Sequence, residues 1–205
     1  DGDIDFIVAN KGLNNFINPT QEYPVYIYNK DFDGNGSIDP LVGAYYDTDS
    51  GKRLMPLHTR DDVMKQLVVL KDRYQSYANF AQIDFETLLS IESKKTVTLN
   101  ATISASILLE NKGDGSFRLE QLPKMAQLSP INAILVEDFD KDGNLDVLLA
   151  GNDFYAETHF GRYDALTGLF MKGNGRNGFD TFESSASGFY VPYQTNNLIK
   201  LTNSK

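Results

Sequence analysis

The 205-residue chain contains no cysteine, which removes disulfide frameworks, thiolate metal sites and cysteine nucleophiles at once. Histidine is nearly as scarce. The two that occur, His58 and His159, lie far apart and in no metal-binding spacing such as H-E-x-x-H, so the sequence offers no zinc site. Long apolar runs are missing as well: stretches such as 67–70 fall far short of the roughly 20 residues of a membrane-spanning helix, and no signal peptide is present. Positive charge is in deficit. The 19 Lys and Arg face 28 Asp and Glu, for a net charge of −9, which repels phosphate backbones and anionic membranes and argues against a nucleic-acid partner. There is no G-x-S-x-G elbow, and the glycine-rich stretch 173–178 is not followed by Lys-Ser/Thr, so it reads as a hairpin turn and not a phosphate loop.

What remains is 41% hydrophobic and 23% charged residues, the composition of a soluble globular protein with a real core. We expect a single domain over 1–205. Because the chain opens at Asp1, inside a motif, it reads as a piece of a longer protein whose export signal or anchor, if it has one, would lie upstream.

The motif is an internal repeat. Asp31-Phe32-Asp33-Gly34-Asn35-Gly36-Ser37-Ile38-Asp39 and Asp138-Phe139-Asp140-Lys141-Asp142-Gly143-Asn144-Leu145-Asp146 share the pattern D-F-D-x-[DN]-G-x-[IL]-D, and Asp1-Gly2-Asp3-Ile4-Asp5 is the second half of a third copy. Short apolar runs at 6–9, 41–45 and 147–150 follow the copies, and others at 25–28 and 131–136 precede the two full ones. Their length and their β-branched and aromatic residues predict strands, so each acidic loop joins two strands. A second repeat aligns Leu108-Leu109-Glu110-Asn111-Lys112-Gly113 with Phe170-Met171-Lys172-Gly173-Asn174-Gly175; each is a strand entering a Gly/Asn-rich hairpin turn that ends at Phe117 or Phe179. Alternating hairpins and acidic loops predict a mainly β fold, a partial β-propeller of about three four-stranded antiparallel blades. The interruption is a helical insertion at about 60–93, where Val63, Leu67, Leu70 and Tyr74 recur at helical spacing behind a Thr59/Asp62 capping pair. Its apolar face is expected to cover the sheet.

Asp at the first, third and fifth positions of a tight loop, with Gly at the sixth, converges carboxylates on one point, as hard cations require. The ligands expected from the later copy are Asp138, Asp140, Asp142, the Asn144 carbonyl and Asp146; from the earlier, Asp31, Asp33, Asn35, the Ser37 carbonyl and Asp39. An EF-hand needs Glu at position twelve, where this chain has Leu149 and Val42 in apolar runs, so the ninth-position Asp must close the shell instead. Calcium is the expected cofactor. Ten of the 28 acidic residues lie in the three copies, leaving 18 against 19 basic, so the net acidity belongs to these loops. By carboxylate count the Asp138 loop should bind most tightly, then the Asp31 loop, and the half copy at Asp1 little or nothing.

These repeats resemble the FG-GAP or VCBS type of calcium-loop β-propeller. Asn10-Lys11-Gly12-Leu13-Asn14, the loop at 31–40, the helical insertion and Gly161-Arg162-Tyr163-Asp164-Ala165 together are similar to bacterial relatives of the cartilage acidic protein group that carry an ASPIC/UnbV region. The resemblance covers most of the chain. It implies a roughly seven-bladed propeller, completed by further blades of the full-length chain, on an extracellular, periplasmic or outer-surface protein.

One segment outside the repeats has chemical potential. Tyr155, Glu157, His159, Arg162, Tyr163 and Asp164 follow a predicted strand on a long loop, where functional groups concentrate. Two readings stand. Arg162 and Asp164 pin the loop while Tyr155 and Tyr163 fill space between sheets, or the same aromatic and polar mixture binds a glycan or a surface protein. The expected function is a non-enzymatic binding or scaffold module with no catalytic residues. Its alternative is a polysaccharide lyase or hydrolase using the 153–164 loop.

Overall fold

The computed structural model describes residues 2–83, 85–89, 97–176 and 178–201. Its strands in chain order are β1 (Phe6–Val8), β2 (Val25–Lys30), β3 (Asp39–Thr48), β4 (Gly51–Pro56), β5 (Val97–Ala101), β6 (Ile107–Asn111), β7 (Phe117–Gln121), β8 (Ile131–Glu137), β9 (Asp146–Gly151), β10 (Leu169–Gly173) and β11 (Phe179–Phe182). They form three antiparallel sheets. The mainly β class read from the sequence is therefore what is found. The chain divides into two compact units, one of Asp1–Phe16 with Ser104–Lys205, the other Ile17–Ile103.

The first unit holds two of the sheets. One is the meander β8-β9-β10-β11, and the other is the three-stranded β1-β6-β7. The two correspond strand by strand: β1 leaves the half copy of the acidic motif as β9 leaves the full copy, and the β6–β7 hairpin matches β10–β11. Although β1 and β6 are neighbours in the sheet, residues 9–106 separate them in sequence, and the whole second unit falls within that interval. β9 is central and apolar, and Val147 and Leu149 bury with Leu169 and Met171 of β10 in the core of this unit. Burying side chains of this size stabilises by about 1.5–3 kcal/mol each.

The second unit has the sheet order β4-β3-β2-β5. Here the structure departs from the expected blade meander. β2, β3 and β4 are consecutive hairpin neighbours, but β5 returns to pair with β2, with Val25 opposite Ala101 and Asn29 opposite Val97. This is Greek-key connectivity. Its cause is the helical stretch, which takes the chain from β4 back to the far edge of the sheet. Within it lie α1 (Arg60–Gln66), a 3-10 turn (Val68–Leu70), α2 (Tyr77–Phe80) and α3 (Phe85–Leu89); of the expected insertion, 84 and 90–93 are outside the described residues. Thr59 caps α1 by accepting from the Asp62 N–H, and its hydroxyl donates to the Asp62 carboxylate at 2.5 Å.

The four residues at helical spacing, Val63, Leu67, Leu70 and Tyr74, are all buried, and they pack with Phe80, Ile83, Phe85 and Leu88 against Leu41 and Tyr28 of the sheet. The apolar face of the helices thus covers the sheet, as expected. Phe85 is fully buried, its ring 5.0 Å from that of Tyr28. Gly43 on β3 makes room for it, since a Cβ there would lie 3.2 Å from both Phe85 Cζ and Leu54 Cδ1.

The expectation of helices only at about 60–93 is corrected by two single turns in the first unit, Lys124–Gln127 and α4 (Ser184–Ser187). Neither is long enough to show helical periodicity in sequence.

Candidate metal centres

The two full acidic loops fold by the same local rules. In the earlier loop, Asp31 Oδ1 accepts from the N–H groups of Gly34 (2.7 Å) and Asn35 (3.0 Å), and Oδ2 from Gly36 (2.8 Å). In the later loop, Asp138 accepts from the N–H groups of Asp142 (3.1 Å) and Gly143 (3.0 Å). The third-position Asp33 and Asp140 accept from the fifth-position N–H at 3.1 and 3.2 Å. Fifth-position Asn35 and Asp142 accept from the seventh, Ser37 and Asn144, both at 2.8 Å. Short polar side chains satisfying nearby backbone donors are what make Asp and Asn turn formers.

Backbone dihedrals repeat as well. The fourth and sixth residues are left-handed in both loops: Gly34 at 73° and Gly36 at 89°, Lys141 at 64° and Gly143 at 90°. Glycine adopts these values freely, whereas Lys141 does so at a cost.

This winding gathers the acids. Oxygens of Asp31, Asp33 and Asp39 lie within 4.8 Å of one another, and so do oxygens of Asp138, Asp140 and Asp146. Oxygens that touch one calcium ion at about 2.4 Å lie no farther than about 4.8 Å apart, so each cluster is tight enough to share an ion. Each triad can hold a metal ion. Of the other residues expected to ligate, Asp142 with one carboxylate oxygen and Asn35 with its single amide oxygen accept from the N–H two residues on, which Asn144 and Ser37 supply.

The ninth-position acids differ from the rest in being buried, Asp39 at 5% and Asp146 at 0% exposure. Their carboxylates are structural acceptors: Asp39 Oδ2 takes the Phe32 N–H at 2.9 Å, and Asp146 Oδ2 the Phe139 N–H at 3.0 Å. Asp146 Oδ1 also takes the Gly173 N–H from β10 at 3.0 Å. In the half copy, Asp5 accepts from the Asn111 N–H at 2.8 Å, and Asn111 is the counterpart of Gly173 in the aligned hairpins. In these two copies the last Asp of the motif therefore ties its loop to the neighbouring strand, while Asp39 closes its own loop through Phe32, roles sequence spacing alone did not reveal.

The electrostatics of the loops are uneven. Backbone N–H groups, that of Gly36 first, hold the Asp31 carboxyl below the usual carboxylate range. Asp142 is held below it chiefly by Lys172, whose ammonium bonds Asp142 Oδ2 at 2.9 Å and also bonds Asp140 Oδ2. The same two acids push the Lys172 pKa upward. Lys172 projects from β10, and nothing in the motif pointed to it.

The 153–164 loop is pinned at its base by the Asp153–Tyr163 bridge, with paired N–H to carbonyl bonds of 2.8 and 2.9 Å. Asn152, fully buried with φ of 77°, exchanges side-chain bonds with the Leu166 carbonyl and N–H at 2.7 and 3.2 Å. Sequence reading missed it because an Asn beside a strand end carries no distinctive spacing. Arg162 and Asp164 do pair, but at 3.7 Å and with both side chains more than half exposed, so the pair contributes little. Tyr163 is buried under the Lys11 ammonium, 4.7 Å from its ring. Tyr155 does not fill interior space, the first of the two readings for it; it is 89% exposed. Glu157 lies 3.4 Å from His159, whose ring is 4.0 Å from that of Phe160, while Arg162 stacks 4.0 Å from Phe154. A shallow cleft of about 370 Å³ brings Arg162, Tyr163 and Asp164 together with Asn14, Asn15 and Phe16.

No helix among the described residues is long and apolar enough to cross a membrane. Comparison of the chain with protein-family models, with curated proteins and with solved structures finds no match.

Proposed function

We propose that this chain is a calcium-binding, non-enzymatic binding or scaffold module of the extracellular, periplasmic or outer cell-surface kind, built on FG-GAP/VCBS-type repeats. The observation that carries it is the shared loop geometry: two loops with different residues at their fourth, fifth and seventh positions wind by one hydrogen-bond scheme and each bring three carboxylates to a point. Like charges so close favour a cation between them. An all-oxygen donor set in an irregular loop suits calcium better than magnesium, which demands a compact octahedron.

The β8–β11 meander, and the match of β1-β6-β7 to its last three strands, support reading these sheets as propeller blades, with the remaining blades of the full-length chain as partners. The exposed Tyr155 and the cleft beside Arg162 suit a glycan or a surface protein. The enzyme reading would need His159, Arg162 and a carboxylate from another strand in one pocket, whereas His159 lies against Glu157 and Phe160 of its own loop.

Calorimetric titration with calcium, with melting followed in parallel, tests the metal reading. Two sites are expected. At a hundredfold excess over the dissociation constant each should add about 2.7 kcal/mol, Asp140→Ala should remove one site with its share of the melting shift, and magnesium should substitute poorly. No calcium binding up to millimolar concentration would overturn the reading.

A further inference from the structure

The two loops differ in a way their motif does not encode. The Asp138 loop carries four carboxylates, those of Asp138, Asp140, Asp142 and Asp146, against three in the Asp31 loop. Yet the Lys172 ammonium already bonds Oδ2 of both Asp140 and Asp142. The second oxygen of each is taken by a loop N–H, from Asp142 at 3.2 Å and Asn144 at 2.8 Å. Counting Lys172, each loop presents the same net negative charge, before Lys141 is counted in the later one. Among the described residues no ion pair is made to Asp31, Asp33 or Asp39; the nearby Lys30 ammonium lies instead 5.5 Å from the Phe32 ring.

Nor does the fold require a lysine on that strand. The counterpart of Lys172 on β6 is Glu110, which pairs with Lys112 at 2.8 Å and Arg118 at 3.1 Å. Lys172 is thus a charge placed on one loop by its own sequence.

Resting on the calcium reading above, we propose that Lys172 is a resident counter-cation of the Asp138 loop, which a divalent ion must displace from Asp140. Two consequences follow. The Asp138 loop keeps its shape without metal and binds calcium more weakly than the Asp31 loop, reversing the order given by carboxylate count. The Asp31 loop is the one whose order depends on the ion.

The test titrates calcium into the full 205-residue chain carrying Asp33→Ala, which leaves the Asp138 loop as the remaining site, and into the same chain with Lys172→Met, Lys172→Gln or Lys172→Arg added. Lys172→Met and Lys172→Gln should tighten binding at least tenfold, a change of about 1.4 kcal/mol, and lower the melting temperature in chelator, while Lys172→Arg leaves affinity near its starting value. A melting loss without tighter binding, or unchanged affinity in both neutral variants, overturns the counter-cation role while leaving calcium binding intact. Absence of binding both to the unaltered chain and to its Lys172→Met form overturns the calcium reading and this inference with it. Should one neutral variant fail to fold, the other decides.

Discussion

Replacing Asp146 should separate the motif's structural role from its metal role. The side chain is fully buried, and its two oxygens accept from the Phe139 and Gly173 N–H groups, both at 3.0 Å. A hydrogen bond to a charged acceptor contributes about 1.5–3 kcal/mol, and a buried donor left unpaired costs about 1–3 kcal/mol. Asp146→Ala strips both donors of their partner, so it should destabilise the first unit by about 3–5 kcal/mol even in excess chelator. Asp146→Asn keeps one acceptor but turns an NH₂ toward a backbone donor, and about half that loss is expected. Asp140 serves as the control: its side chain is 38% exposed and its ion pair is with Lys172, so Asp140→Ala in chelator should cost under about 1 kcal/mol. Urea denaturation of the three variants, in chelator and in calcium, reads both effects. If Asp146→Ala costs no more than Asp140→Ala in chelator, the ninth acid is only a ligand and the assignment of its oxygens to the fold is wrong.

Other positions give sharper, smaller tests. The Tyr77 hydroxyl holds Asp61, and the Thr59 hydroxyl holds Asp62, below the ordinary value of 3.8. Folding therefore favours the charged forms; the stability this gives is present above about pH 4 and lost as pH falls through the lowered values. Melting curves of the chain and of Asp61→Asn should differ by a constant amount at neutral pH and converge in acid. Thr59→Ala removes the cap of α1 and should cost about 1 kcal/mol in urea denaturation; no loss would mean that packing alone sets the helix start. Lys141→Gly relieves a left-handed backbone and should raise stability by up to about 1 kcal/mol in chelator, whereas Gly34→Ala, at the equivalent position, should lower it. Gly12 has φ of 84° and a Cβ there would lie 2.5 Å from the Gln127 carbonyl oxygen, so Gly12→Ala should depress the melting temperature by several degrees, and an unchanged melt would refute the close approach.

Strands flanking the acidic loops were legible because buried β-branched runs end at sharp Asp and Gly clusters, and β2, β3, β8 and β9 extend those runs by only a few residues. β4 was not. Its sequence Gly51-Lys52-Arg53-Leu54-Met55-Pro56 is charged and lacks β-branching, as an edge strand tolerates, and it is the tight turn between Thr48 and Gly51 that brings it alongside β3, from Thr48 opposite Gly51 to Gly43 opposite Pro56. The residues from Thr96 to Ile107 form one β-branched stretch in sequence, yet β5 and β6 belong to different sheets. Alternation reveals that a segment is extended, but not which neighbour it meets; that is decided by where the helices return the chain.

A similar limit governs the candidate site. A motif can announce ligands that lie within nine residues of one another, since the turn that converges them is written in the same residues, with Gly36 and Gly143 permitting the reversal. It cannot announce a group arriving from another strand. Lys172 stands on β10, separated from Asp140 in sequence by β9 and a long loop, and the strand pairing of Met171 with Val147 is what sets it beside the acids. The same pairing delivers the Gly173 N–H to Asp146. One register thus supplies both the donor that anchors the loop and the ammonium that offsets part of its charge, so a slip of one residue along β10 would turn Lys172 to the opposite face and leave the loop's four carboxylates to be balanced by a metal ion alone.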